Sequence, residues 1–361
     1  MNGKSSTPLP PYPATSDLWH HLADAQKPIL MYGMGNGADK ILRELNKRGI
    51  EVSDFFASDG FVRGHHFHGK RVLSYSEAKE KYGSFIVLLA FGSSLDDVIE
   101  NVKRIASEQE LYAPDVPVCE GEIFDCGFYN EHYGEITKAY GALSDAISKE
   151  IFSCVVNFKL SGNIRYLTDT VCEDGMDLFS WDEFRVCVDA GAYRGESSVE
   201  MLERGPSIKR IYALEPDAKS YKKLCEFAQN ESRVLPVNCG AWSKTDVGCF
   251  SEQGNRNSSF SNIGNKLTKL DKIDTIIGED VPDYIKLDVE GCESEALDGC
   301  RDTIIGHHPS LLVCVYHRSC DIFTLINKIC NEYPAYNVHL RRKKYVPAWD
   351  VYICAIENGG K

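Results

Sequence analysis

Along the chain, short blocks of continuous apolar residues alternate with stretches in which apolar residues recur at helical spacing. "ILMY" at 29–32 is followed by a glycine-rich turn and then by Ile41, Leu42 and Leu45, three and four positions apart. "EVSDFFAS" and "SFIVLLAFG" read as two further strands. Leu95, Val98, Ile99, Val102 and Ile105 then form the apolar stripe of an amphipathic helix. Strands alternating with helices imply a parallel sheet, so residues 16–125 are predicted to form a small Rossmann-like domain. Residues 126–180 lose the strand blocks and keep helical spacing, as expected of a helical connector or cap. From 181 to 361 the alternation resumes, with strand blocks at "RVCVDA", "RIYALEP", "VLPVNCGAW", "DYIKLDVE", "LLVCVYH", "NVHLRR" and "VYICAIE". Seven such blocks predict a doubly wound α/β sheet.

Composition narrows the classes. The net charge of −13 argues against a nucleic-acid binder, which needs clustered cations to neutralise phosphates. The basic run "RRKK" at 341–344 reads as a solvated strand end. No apolar run reaches the roughly 18 residues of a membrane span. The proline-rich stretch 1–15 lacks a signal-peptide core and reads as a flexible tail. Fourteen scattered cysteines form no C-x-x-C pair, which points to reduced thiols and a cytoplasmic location.

Candidate chemistry gathers at the carboxyl ends of the second set of strands, where open α/β sheets bind ligands. "VDAGAYRGESS" ends a strand at Asp189 and opens a turn through Gly191, Ala192, Tyr193 and Gly195. "ALEPD" ends the next strand at Glu215, where a carboxylate accepts hydrogen bonds from a ribose diol, and Pro216 starts the following helix. Gly240 and Ala241, after the third strand, offer a flat wall for a base. The turn is neither a dinucleotide fingerprint nor a P-loop, so a nucleoside without phosphates fits best, and S-adenosylmethionine (SAM) is the common one. Asp189 is then expected near its cationic methionine end. The fourth strand carries Lys286 beneath Asp288 and Glu290, and the fifth delivers His317 to the same rim. These three are the candidates to orient and deprotonate an acceptor, and Lys286 is expected to pair with a carboxylate.

These stretches resemble the FkbM family of SAM-dependent methyltransferases, in "VCVDAGAYRGESS", "IYALEPD", "GNRNSSF", "DYIKLDVEGCESEALDG" and "VYHRSCDIFTLI". The resemblance implies a class I methyltransferase fold, SAM as cofactor, and O-methylation of a hydroxyl on a sugar, polyketide or related acceptor. Position by position it carries cofactor roles to Asp189, Gly191 and Glu215, and active-site roles to Asp288, Glu290 and His317.

Other features carry weaker expectations. "GMGNGA" places Gly33, Gly35 and Ala38 in a G-x-G-x-x-A fingerprint, with Asp54 or Asp59 near the next strand. This suggests a nucleotide or nucleotide-sugar site in the N-terminal domain, or a degenerate scaffold. His65, His66 and His68 read as chance histidines in a loop rather than metal ligands. A metal on Asp288, Glu290 and His317 is not expected. Phe152, Phe158 and Tyr166 line either an acceptor pocket or the core. The partners expected are a hydroxyl-bearing small molecule or glycan and a second copy of the chain, without nucleic acid or membrane. The alternatives are an NAD-dependent oxidoreductase acting through the N-terminal domain, and a noncatalytic SAM- or nucleotide-binding scaffold.

Overall fold

The computed structural model of the chain describes residues 7–62, 64–119, 121–250 and 266–359. The polar loop "SEQGNRNSSFSNIGNK" thus lies almost wholly outside the described residues.

Two sheets organise the chain. The first has five strands in the order Leu73–Ser74, Asp54–Ala57, Ile29–Tyr32, Ile86–Leu89 and Glu110–Tyr112. All four of its ladders are parallel. Its three central strands are buried along their whole length, which is why they read as apolar runs, interrupted only by Asp54, rather than as alternations.

The second sheet has seven strands, in the order Val234–Val237, Arg210–Leu214, Val186–Ala190, Tyr284–Leu287, Ser310–Cys314, Val351–Glu357 and Tyr336–Arg342. In chain order this is 3-2-1-4-5-7-6. The first five strands pair in parallel, and Val351–Glu357 runs antiparallel to both of its neighbours. The third block ends its sheet ladder at Val237. Gly240–Ala241 leaves that ladder and pairs with Leu270–Asp271 in a separate small sheet.

The connector is dominated by the helix Ala146–Ser161. Asp145 caps it by accepting the Ser148 N–H at 2.6 Å, and Gly162 ends it at a left-handed φ of 63°. The helix is apolar on most of its circumference because it packs on the strand Tyr336–Arg342 and lies within the apolar cluster that joins the two sheets. Phe152 and Phe158 are fully buried and Tyr166 packs against them. These aromatics belong to the core and do not line a pocket. A single apolar cluster runs from Leu30 and Phe56 through Phe152 and Phe158 to Ile285 and Ile353, so the two sheets share one core.

Two regions differ from the sequence expectation. Residues 7–15 are held rather than free. Glu150 accepts from Thr7, Tyr129 donates to the Pro10 carbonyl, Tyr12 stacks on Tyr133, and Asn130 bonds both backbone groups of Ala14. The "RRKK" run is not a solvated strand end. Arg341 and Arg342 are buried, Arg341 pairs with Asp145 at 2.8 Å, and Arg342 donates to the Leu167 and Val171 carbonyls. Lys343 pairs with Glu200 at 2.9 Å. Each charge has a fixed partner that lies far away in sequence, which composition alone does not reveal.

No helix of the described residues is long and apolar enough to cross a membrane. The described cysteines are all free thiols. His66 and His68 are exposed, and His68 contacts Asp39 at 2.7 Å.

Candidate active site

The site begins where the strand Val186–Ala190 stops. Gly191 has a φ of 82°, and a Cβ there would lie 1.8 Å from the Asp288 carbonyl oxygen. Only glycine permits that approach of two strand ends. Tyr193 also adopts a left-handed φ, of 50°, which turns its N–H toward Glu215. Gly195 lies behind the turn, where a Cβ would meet the Phe227 ring at 2.6 Å.

The structure moves Asp189 from its expected place. Its carboxylate is fully buried, accepts from the Ser197 and Ser198 hydroxyls at 2.7 Å each, and pairs with Lys286 Nζ at 3.1 Å. It ties the strand end to the helix Glu196–Arg204 from beneath and is not part of the cavity wall. Lys286 also donates to the Gly191 carbonyl at 3.3 Å and stands 3.6 Å from Asp288. Burial favours the neutral amine, but Asp189 and Asp288 outweigh it and raise the Lys286 pKa.

Glu215 faces the cavity. One oxygen accepts the Tyr193 N–H at 2.9 Å and the other the Asp217 N–H at 2.7 Å. Each oxygen keeps a lone pair for a ligand hydroxyl. Burial pushes its pKa up to about 7, against the two N–H groups and with the Asp217 carboxylate. Pro216, Ala192, Gly240 and Ala241 complete this half of the wall.

The opposite half is acidic. Asp288 accepts from the Tyr316 hydroxyl at 3.2 Å. Burial would favour its neutral form, but Lys286 and His317 prevail and lower its pKa. Glu290, at a left-handed φ of 54°, is raised to about 8 by burial, with Asp288 adding to the shift and His317 opposing it.

His317 is placed behind these acids. It is fully buried, with Nε2 at 3.5 Å from Asp288 and 3.6 Å from Glu290, and Nδ1 at 2.9 Å from Glu293. Burial favours the neutral ring, but Glu293 leads the three carboxylates in raising its pKa to about 10. The shift favours the imidazolium, which has no lone pair with which to take a proton, and the ring lies behind the acids rather than on the cavity wall.

Together these residues enclose a cavity of about 440 Å³ at the carboxyl ends of the strands. Gly191, Ala192, Tyr193, Glu215, Pro216, Gly240, Ala241, Asp288 and Glu290 line it as a group, while Asp189, Gly195 and His317 support it from behind. Tyr316, Trp349 and Asp350 also line it and were not apparent from the sequence. Neither was Glu293, which accepts the Val289 N–H at 2.9 Å and anchors the His317 charge. The signal for Glu293 was present in the acid-rich run "VEGCESE", but its partner lies a strand and two helices away.

The seven-stranded order with one reversed strand, and a cavity beyond strands 1, 2 and 4, define a class I methyltransferase domain. Residues 189–345 match the methyltransferase FkbM domain. No curated protein matches the chain. Among solved structures it is similar to methyltransferase FkbM from Methylobacillus flagellatus KT. That likeness has 20% identity and a TM-score of 0.70, covering 91% of this chain and 90% of that one. Since the coverage includes the N-terminal sheet, the two-sheet architecture is shared. A putative caffeoyl-CoA O-methyltransferase from Staphylococcus aureus aligns at 12% identity and a TM-score of 0.33, over 54% of this chain and 89% of that one. Aeropyrum pernix fibrillarin, solved with S-adenosyl-L-methionine, aligns at 14% and 0.33, over 51% and 70%.

Proposed function

We propose that this protein transfers a methyl group from SAM to a hydroxyl of a small-molecule or glycan acceptor. The observation that carries the reading is Glu215. It is a buried carboxylate held open by two backbone N–H groups on the floor of the cavity, beside a glycine turn that no side chain can fill. That cradle fits a nucleoside. Glu215 would take the ribose diol, Gly240 and Ala241 would flank the base, and the Gly191–Tyr193 turn would face the methionyl end. When bound, SAM supplies an electrophilic methyl group on a sulfonium.

The remaining chemistry belongs to the chain. Asp288, ionised and fixed by Lys286 and Tyr316, accepts a hydrogen bond from the acceptor hydroxyl and orients it. Glu290, with a pKa raised to about 8, is matched to receive the hydroxyl proton near neutral pH. His317 stabilises both carboxylates from behind, and with Lys286 it sets two cations against the acids of the site. Methyl transfer is accordingly expected to speed up as pH rises toward 8 and Glu290 ionises, and to lose that dependence in Glu290→Gln.

The test is calorimetric titration of the full chain with S-adenosylhomocysteine (SAH) beside NADH. SAH is expected to bind the wild type and to lose at least about tenfold in affinity in Glu215→Ala, or about 1.4 kcal/mol. Binding of NADH in place of SAH would refute the assignment.

A further inference from the structure

The N-terminal sheet has the strand order of a dinucleotide-binding fold, with its switch point between Ile29–Tyr32 and Ile86–Leu89. The crevice outside those two strand ends is where such a sheet takes a nucleotide, yet here protein fills it. The Phe91 ring lies 2.7 Å from where a Cβ of Gly33 would be, and the Ala90 carbonyl 2.3 Å from one at Gly37. Packing thus requires Gly33 of the fingerprint and Gly37 beside it, whereas Gly35 is set by its positive φ of 104° and meets no neighbour. Beyond them, Ser93 and Val346 exchange both backbone hydrogen bonds, at 2.9 and 3.1 Å. A Cβ at Gly92 would sit 2.6 Å from the Tyr345 ring and 2.7 Å from the Trp349 ring. Both rings line the catalytic cavity.

A second contact starts from the same place. Lys40, on the helix Asn36–Lys47 that follows the glycine turn, donates to the Pro117 carbonyl at 3.3 Å and the Val118 carbonyl at 2.5 Å. Among the described residues, Val118 is the one cavity-lining residue that precedes Met176. Its neighbour Cys119 donates its N–H to the His317 carbonyl at 3.1 Å and its thiol to the Glu290 carbonyl at 2.9 Å. Glu290 is the residue held in a left-handed conformation, which persists only where the surroundings over-determine it.

We infer that the N-terminal domain is a built-in part of the catalytic site. Its switch point seats the Tyr345–Trp349 wall, and Lys40 is a positioning residue that holds the Pro117–Cys119 strap against Glu290 and His317. The glycine fingerprint has become an internal docking seat, which replaces the nucleotide or nucleotide-sugar site expected from sequence. The catalytic meaning of the seat rests on the methyltransferase reading above.

Hydrogen exchange on the full chain, with and without SAH, tests the inference in the wild type, Lys40→Met, Lys40→Arg and Gly92→Leu. Lys40→Met should speed exchange at Val118 and Cys119 by at least about tenfold, while the strand Val186–Ala190 stays protected. Lys40→Arg, which keeps a charged donor, should restore the slow exchange, whereas a general loss of stability would not be rescued in this way. Gly92→Leu should do the same at 345–349 by pushing the two rings off their seat. Should Gly92→Leu fail to fold, the Lys40 pair decides alone. Unchanged exchange at both segments would overturn the inference, as would protection of residues 33–38 by added ATP or NADH. If SAH fails to bind the wild type, the cofactor reading falls, and the exchange pattern still judges the seat.

Discussion

At the scale of single residues, the site is made by acids whose roles depend on direction rather than identity. Asp189 and Glu215 each end a strand of the same sheet, yet one carboxylate turns down onto Ser197, Ser198 and Lys286 while the other turns toward the cavity. The sequence shows two strand-end acids and places both on the cofactor; the side-chain direction that separates them is set by the helix start after Asp189. His317 is similar. Its nearness to Asp288 and Glu290 was legible, but the ring stands behind the rim, and its pairing with Glu293 is formed only in the folded chain. Gly191 is the least replaceable residue. Gly191→Ala would force a Cβ within 1.8 Å of the Asp288 carbonyl at a positive φ. It should cost more than about 2 kcal/mol in urea unfolding and remove SAH binding. Retention of both would show that the two strand ends are less tightly apposed.

At the scale of elements, the strand blocks revealed the three central strands of the first sheet and all seven of the second, but not the short edge strands Leu73–Ser74 and Glu110–Tyr112, which carry no apolar run. The connector helix was legible as a helix, while its aromatics were left between pocket and core, since an all-round apolar helix gives no face to read. "RRKK" misled because its strand is an edge only in pairing and is covered by that helix. There Asp145 accepts from Arg341 and the Ser148 N–H and contacts His339. Burial would favour its neutral form, yet these partners hold its pKa well below the usual carboxylate range. A depressed carboxyl pKa contributes stability that is present above the unfolded value and lost as pH falls through the folded one. Wild type is therefore expected to lose stability below about pH 4 more steeply than Asp145→Asn. Parallel acid-unfolding curves for the two proteins would contradict this.

At the scale of the whole molecule, one apolar core joins the N-terminal sheet, the connector and the methyltransferase domain, and a single cavity takes walls from the two domains. The parts of the chain are thus bridged by one core, although each sheet also keeps an apolar cluster of its own. The sequence exposed the fold class and the Gly191–Glu215 side of the cavity, where motif and strand end coincide. It did not expose the Val118, Tyr345 and Trp349 side, whose residues meet only because one domain's switch point receives the other's loop.

The central claim is that Glu215 holds the ribose of the cofactor, and the most direct measurement is SAH binding by calorimetry between pH 6 and 8.5, in buffers of different ionisation enthalpy. Hydroxyl donors favour the ionised carboxylate, whose pKa in the free protein is raised to about 7. Affinity should therefore rise as pH increases through that value, with protons released on binding at the lower pH, and the dependence should vanish in Glu215→Gln. Binding that is independent of pH, or that takes up protons, would contradict the account.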